Sequence, residues 1–224
     1  MIEENAFLKQ IEGMHALWCG ADMEAGELAQ AVGQVGPKKI GMVSVSPDSV
    51  ATVWPWLERD NIKIISRFYF SDKKISEKQI SDITVRINNA FKRGAGGAQI
   101  FLPYAALADL VEQMYVIRDD LFFDKDLSIG VDVAEFGPYD WADLFVQLRR
   151  LNATSVVFAL TKDAGDKSDF VGRIYGMLNA WDVDNKFDLH FAFGPNFMRI
   201  EQALRLVQSV RPELVGRLKF WVNY

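Results

Sequence analysis

The sequence predicts an α/β fold, a (β/α)8 TIM barrel formed by a single domain spanning residues 1–224. Three observations predict it. Eight short apolar runs recur along the chain, seven amphipathic segments alternate with them, and no linker-like stretch divides the sequence. Strands alternating with helices imply parallel strands joined by crossover helices, and a count of eight points to closure. A doubly wound open sheet is the alternative.

The strands are read at His15–Trp18, Ile40–Val45, Ile62–Phe68, Ala98–Leu102, Leu127–Asp132, Ser155–Leu160, Leu189–Phe193 and Leu218–Val222. Each is a short run rich in Val, Ile and Phe, bounded by Gly, Pro, Asp or Asn. The helices follow in order. Met23–Val35 opens after Asp22, read as its N-cap. Asp48–Arg59 follows Ser46-Pro47 and contains Pro55, which removes a backbone donor. Ser76–Lys92 begins with Ser76 and Gln79 in a capping-box spacing, and Ile80, Ile83, Ile87 and Phe91 share one face. Tyr104–Leu121, Tyr139–Leu151, Lys167–Trp181 and Asn196–Val210 complete the set. The last strand reaches the end of the sequence, so the eighth helix is absent, and Glu3–Ile11 or another subunit is left to cover its place.

Half of the residues are hydrophobic and 25% are charged, with a formal net charge of -5. This is ordinary globular composition. Its 25 Lys and Arg are scattered, which argues against nucleic-acid binding. The single cysteine, Cys19, excludes an intrachain disulfide and fits a reducing compartment. The acidic start lacks the pattern of a signal peptide, and no apolar run approaches the ~18 residues of a membrane span. A cytoplasmic protein is expected, without membrane association.

In a barrel of this kind the loops after the strands build the active site. Asp132 ends strand five. In LSIGVD the residues Ser128, Gly130 and Asp132 alternate with Leu127, Ile129 and Val131, which places Asp132 inside the barrel. A buried carboxylate is costly unless paired, so Asp132 reads as a general base or as half of a structural ion pair, with Arg67 as partner. Asp132 with Glu135 is a weak divalent-cation signal, and no zinc-ligand spacing exists. No metal and no cofactor are expected. Alternation sets His190 opposite to Phe191; if Phe191 points inward, His190 points toward the helices. His15 starts strand one, away from the catalytic face, and Cys19 reads as a small buried residue. The glycines of Gly94–Gly97 follow a helix and precede a strand, the wrong order for a phosphate cradle, and read as a helix stop. Phe101, Phe191 and Phe193 are placed in the upper barrel layer, giving a filled or apolar pocket.

Several stretches carry a family resemblance. VSVSPDSV (Val43–Val50), NIKIISRFYF (Asn61–Phe70), FKRGAGGAQIFLPYAAL (Phe91–Leu107) and LSIGVDVAEFGPYDWADLF (Leu127–Phe145) resemble, in order, strands two to five of the deoxyribose-phosphate aldolases, a class I aldolase family. The likeness rests on spacing and turn chemistry. It implies a barrel, a lyase reaction through a Schiff-base lysine, and a sugar-phosphate ligand. The implied lysine of strand six falls on Val157, the second lysine on Phe191, and the proton-relaying aspartate on Gln99. Of the glycine-rich phosphate loops, Gly194 remains in FGPNF. The resemblance makes Ser46, Gln99, Gly194 and Asn196 candidate substrate-binding residues.

A Schiff base needs a primary amine of near-neutral pKa, and neither Val157 nor Phe191 supplies one. The first expectation is therefore a divergent aldolase-like barrel that has lost this chemistry and binds or scaffolds, with a homo-oligomer among its forms. The alternative is an active lyase or isomerase on a sugar or sugar phosphate, with Lys162, Asp132 and Arg67 as relocated catalytic groups. A third is a metal-assisted enzyme using Asp132 and Glu135.

Overall fold

A computed structural model describes residues 11–137, 139–160, 167–194 and 196–223; side chains are described throughout these ranges except at 167–169. Eight strands close into one parallel barrel in chain order, with the first pairing the last. They are β1 (His15–Trp18), β2 (Met42–Val45), β3 (Lys63–Tyr69), β4 (Gly97–Phe101), β5 (Asp126–Asp132), β6 (Ser155–Ala159), β7 (Asp188–Ala192) and β8 (Leu218–Val222). The closed ring excludes the open-sheet alternative. All eight sequence-read strands exist, with ends shifted by two residues at most.

The helices are α1 (Ala25–Val32), α2 (Val50–Leu57), α3 (Glu77–Lys92), α4 (Leu107–Met114), α5 (Arg118–Leu121), α6 (Asp140–Arg150), α7 (Lys167–Ala180) and α8 (Phe197–Val210). The capping box at Ser76 forms as expected: Ser76 N donates to Gln79 Oε1 at 2.9 Å. The cap of α1 is Glu24 instead of Asp22, with Glu24 N donating to Glu27 Oε2 at 2.9 Å. The helix read over Tyr104–Leu121 breaks into a 3-10 turn, α4 and α5, because Tyr115 and Val116 are exposed and no apolar stripe continues through them. Among the described residues no helix follows β8; of the Glu3–Ile11 segment only Ile11 is described, and it is fully buried. No helix among the described residues is long and apolar enough to cross a membrane.

Two apolar layers follow from the period-two alternation of the strands. The outer layer lies between sheet and helices and holds Val156, Phe158, Leu189, Phe191 and Phe220. The inner one fills the barrel and holds Ala16, Ile65, Phe101, Val157, Ala159 and Trp221. Two glycines make the inner layer possible. A Cβ on Gly130 would lie 2.3 Å from the Phe101 ring, and one on Gly97 would lie 2.8 Å from Ile65 Cδ1.

This division corrects the reading of β7. Phe191 belongs to the outer layer, its ring 5.9 Å from that of Phe220 and 6.1 Å from that of Phe158. Phe193 packs there too, against Phe170. His190 faces the barrel interior, beside Trp221. The apolar members of Asp188–Ala192 go to the wetter-looking outside for the reason that governs β5: the helices cover that face. His15 has the structural place expected, with Nδ1 3.0 Å from the Ile11 carbonyl oxygen and Nε2 2.7 Å from that of Lys38. Gly94 ends α3 with φ +107, and the indole of Trp54 lies where a side chain would project.

Candidate functional site at the barrel mouth

The C-terminal ends of the strands enclose a pocket of about 170 Å³. Its walls are the rings of Trp18 (β1), Tyr69 (β3), Phe101 (β4) and Trp221 (β8), and the small residues Ala159 and Ala192 leave the space open. The rings brace one another. Trp18 meets Phe101 edge-on at 5.3 Å and Trp221 at 6.2 Å, while Tyr69 stacks on Phe101 at 5.3 Å. Gly194, with φ +62, and Asn223 complete the rim.

Arg67 lies against these rings, inside the barrel and 3% exposed. Alternation along β3 sends Ile65, Arg67 and Tyr69 to one face, and the guanidinium ends 4.1 Å from the Trp18 ring centroid. Its Nη2 donates to the Cys19 carbonyl at 2.5 Å and its Nη1 to Ser44 Oγ at 3.3 Å. Ser44 Oγ in turn donates to Gln99 Oε1 at 3.0 Å. No carboxylate among the described residues pairs with this cation. Burial pulls the Arg67 pKa below its ordinary value, with Tyr69 and Cys19 opposing the shift. The Cys19 thiol is pushed up to about 11 by burial, with Arg67 acting in the other direction. A thiol so far from ionisation is the inert buried residue that the sequence suggested.

The expected Arg67–Asp132 pair does not form. The two strands are separated by β4, and Arg67 lies opposite Gln99 in the register. Asp132 Oδ1 instead accepts from Ala134 N at 2.9 Å, and Glu135 Oε2 accepts from Tyr104 N at 2.7 Å. Both carboxylates thus tie down the turn after β5, which Arg173 also holds by donating to the Val133, Ala134 and Phe136 carbonyls. Among the described residues no cluster of three or more His, Cys, Asp or Glu is placed to hold a metal ion.

The other sequence candidates separate. Gln99 is fully buried in the interior, and Gly194 reaches the pocket. Ser46 bonds Ser49 at 2.8 Å, and Asn196 Oδ1 accepts from Arg199 N at 3.2 Å, so both serve helix starts. Lys162 and Asp163 lie outside the described residues.

His190 is what the sequence reading missed. It pairs with Val157 across β6 and β7 and is 3% exposed. Burial, with a contribution from Lys219, lowers its pKa to about 3. The ring is therefore neutral at physiological pH. Strict alternation from Phe158 and Leu189 outward would have found it. Trp18, Tyr69 and Trp221 were visible as aromatics at strand ends, but nothing in the sequence showed that they meet.

The barrel superposes on a candidate deoxyribose-phosphate aldolase from Toxoplasma gondii with a TM-score of 0.72 at 15% identity, covering 99% of this chain and 91% of that one. A deoxyribose-phosphate aldolase from Aeropyrum pernix, described as having a unique tetrameric structure, gives 0.71 at 10% identity, with 97% and 87% covered. The fold is that of the deoxyribose-phosphate aldolases. At such identities the likeness is one of fold. A candidate copper homeostasis protein CutC from Streptococcus agalactiae shares this aldolase-like barrel at a TM-score of 0.63 and 9% identity, with 94% and 97% covered. No protein-family model and no curated protein matches the chain.

Proposed function

We propose that this aldolase-like barrel works without Schiff-base chemistry and holds a small molecule non-covalently in its mouth pocket. The observation that carries the reading is the Val157–His190 pair. The resemblance implies an amine on strand six at Val157 and a second on strand seven, and the strand-seven interior residue beside Val157 is His190. Valine has no nucleophile, and an imidazole whose pKa lies near 3 carries no charge to activate one. The four aromatic walls favour a ligand with apolar surface over a polyhydroxylated sugar.

Borohydride reduction in the presence of small aldehydes and sugar phosphates, followed by peptide mass mapping, tests this. No reduced adduct is expected on any lysine of the folded chain. An adduct on Lys162 would overturn the proposal and favour a lyase or isomerase with relocated groups.

A further inference from the structure

The mouth pocket differs in chemistry from the barrel interior beneath it. Its lining contains no Asp, Glu, Lys, Arg or His. The polar side chains Ser44, Gln99 and His190 are buried outside that lining. Arg67 is set apart as well. Its guanidinium packs on the Trp18 ring at 4.1 Å and donates to the Cys19 carbonyl, so it props a wall from behind. What a molecule in the pocket meets is aromatic surface and two alanines. A charge drawn among these rings would lose its hydration with no partner to replace it. A cation would also face the Arg67 charge through the Trp18 ring, which works against an ammonium-binding aromatic cage.

Size and wall geometry narrow the ligand further. A pocket of about 170 Å³ is comparable with an apolar cavity of ~150 Å³ known to take benzene. It admits one aromatic ring with a small substituent. Ala159 and Ala192, register partners on β6 and β7, keep that space clear. The Trp18 ring stands at 70° to Phe101 and at 76° to Trp221, so faces and edges are presented nearly at right angles. An inserted ring can then meet one wall face to face and another edge-on, the arrangements that aromatic quadrupoles prefer. The walls already brace one another, so few side chains lose freedom on binding.

We propose that the mouth pocket binds a neutral, single-ring aromatic molecule, its ring among Trp18, Phe101 and Trp221 and its polar substituent turned out toward Gly194 and Asn223 at the rim. The proposal rests on the non-covalent reading of the site given above and names the ligand class for it. Selectivity comes from the rings: an aromatic ligand gains quadrupole contacts that a saturated ring of the same shape lacks.

The test is calorimetric titration of the full chain, with tryptophan fluorescence as a second readout. The probes are phenol and benzyl alcohol, their saturated counterparts cyclohexanol and cyclohexylmethanol, tetramethylammonium, and ribose. Both aromatic alcohols should bind and change the fluorescence. Each saturated counterpart should bind about fivefold more weakly or worse, the factor expected from one or two lost aromatic contacts. Tetramethylammonium and ribose should not bind. Ala192→Leu should abolish binding by filling the pocket. Tyr69→Ala, at a side chain more than half exposed, opens one wall and should weaken binding by about fivefold, which keeps the test decisive where Ala192→Leu does not fold. Saturated rings binding as tightly as aromatic ones, preferential binding of tetramethylammonium or ribose, unchanged affinity in the folded variants, or no binding by either aromatic alcohol would each overturn the proposal. A borohydride-trapped lysine adduct would instead overturn the non-covalent reading, so the two failures are told apart.

Discussion

Val157 and His190 are direct partners on β6 and β7, both facing the barrel interior, and the imidazole is 3% exposed. This pairing sets a neutral ring into the centre of the fold. The ring belongs to the Trp221 side of the barrel, its centroid 5.9 Å from that of the indole. A site intended for charge would need water or a counter-ion here, and the register partners of His190 are the apolar Val157 on β6 and the cation Lys219 on β8, which disfavours a second positive charge.

Acid sensitivity follows from that burial. His190 has its pKa lowered from 6.5 to about 3, so below pH 6.5 the unfolded chain takes up a proton that the folded chain refuses. Stability is thus present above the unfolded pKa and lost as pH falls toward the folded one. The loss should be about 1.4 kcal/mol per pH unit in this window. Urea unfolding at pH 7 and pH 5 should show the native chain losing about 2 kcal/mol more than His190→Gln. Equal losses in the two chains would contradict a neutral buried His190.

Phe191 lies in the outer layer, stacked on Phe220, in tilted contact with Phe193, and fully buried. Truncation should therefore act on stability and leave the mouth untouched. Phe191→Ala should cost about 3–5 kcal/mol in denaturant unfolding. The same variant, studied where it is still folded, should keep the Trp18, Tyr69 and Trp221 pocket and its fluorescence response to ligands. A mild stability loss with a changed pocket would place Phe191 inside the barrel after all.

The contrast between β5 and β7 shows how far sequence reading reaches. Apolarity sends Leu127, Ile129 and Val131 outward, and Ser128 and Gly130 lie inside as that alternation requires. On β7 the same rule sends Leu189 and Phe191 outward, as observed, whereas the family resemblance alone points Phe191 inward. Strand positions were legible because short Val/Ile/Phe runs and Gly, Pro or Asn boundaries are local signals. The contacts of Arg67 were not, since Trp18, Cys19, Ser44 and Gln99 come from three other strand regions and meet only on closure. For the same reason alternation alone suggests a distant partner for Asp132, whereas one carboxylate oxygen accepts from Ala134, two residues away.

Arg67 makes its hydrogen bonds to neutral acceptors, the Cys19 carbonyl and Ser44 Oγ. Its removal therefore strands no buried carboxylate among the described residues. Breaking a matched buried ion pair costs about 3–5 kcal/mol, while replacing a buried ion by an apolar side chain of similar volume is often neutral or stabilising. Arg67→Met should shift the ligand-free unfolding free energy by less than about 1.5 kcal/mol, the lost hydrogen bonds offsetting the relieved desolvation. A loss above about 3 kcal/mol would reveal an acidic partner.

Gly130 and Phe101 are register partners on β5 and β4, and the Phe101 ring occupies the space that a side chain at Gly130 would need. An added Cβ at Gly130 would sit 2.3 Å from Phe101 Cδ1 and Cε1 and 2.7 Å from Cγ, so the whole ring edge must move. Phe101 cannot move freely, because Trp18 meets its ring at 5.3 Å and Tyr69 stacks on it at 5.3 Å. Gly130→Ala should therefore destabilise by about 1–3 kcal/mol, the usual cost of overpacking. Phe101→Leu should recover part of that loss in the double variant, giving a coupling energy of at least about 0.5 kcal/mol. Additive effects in chemical denaturation would mean that the two residues do not touch. Coupled effects would establish that the glycine is present to let Phe101 wall the pocket.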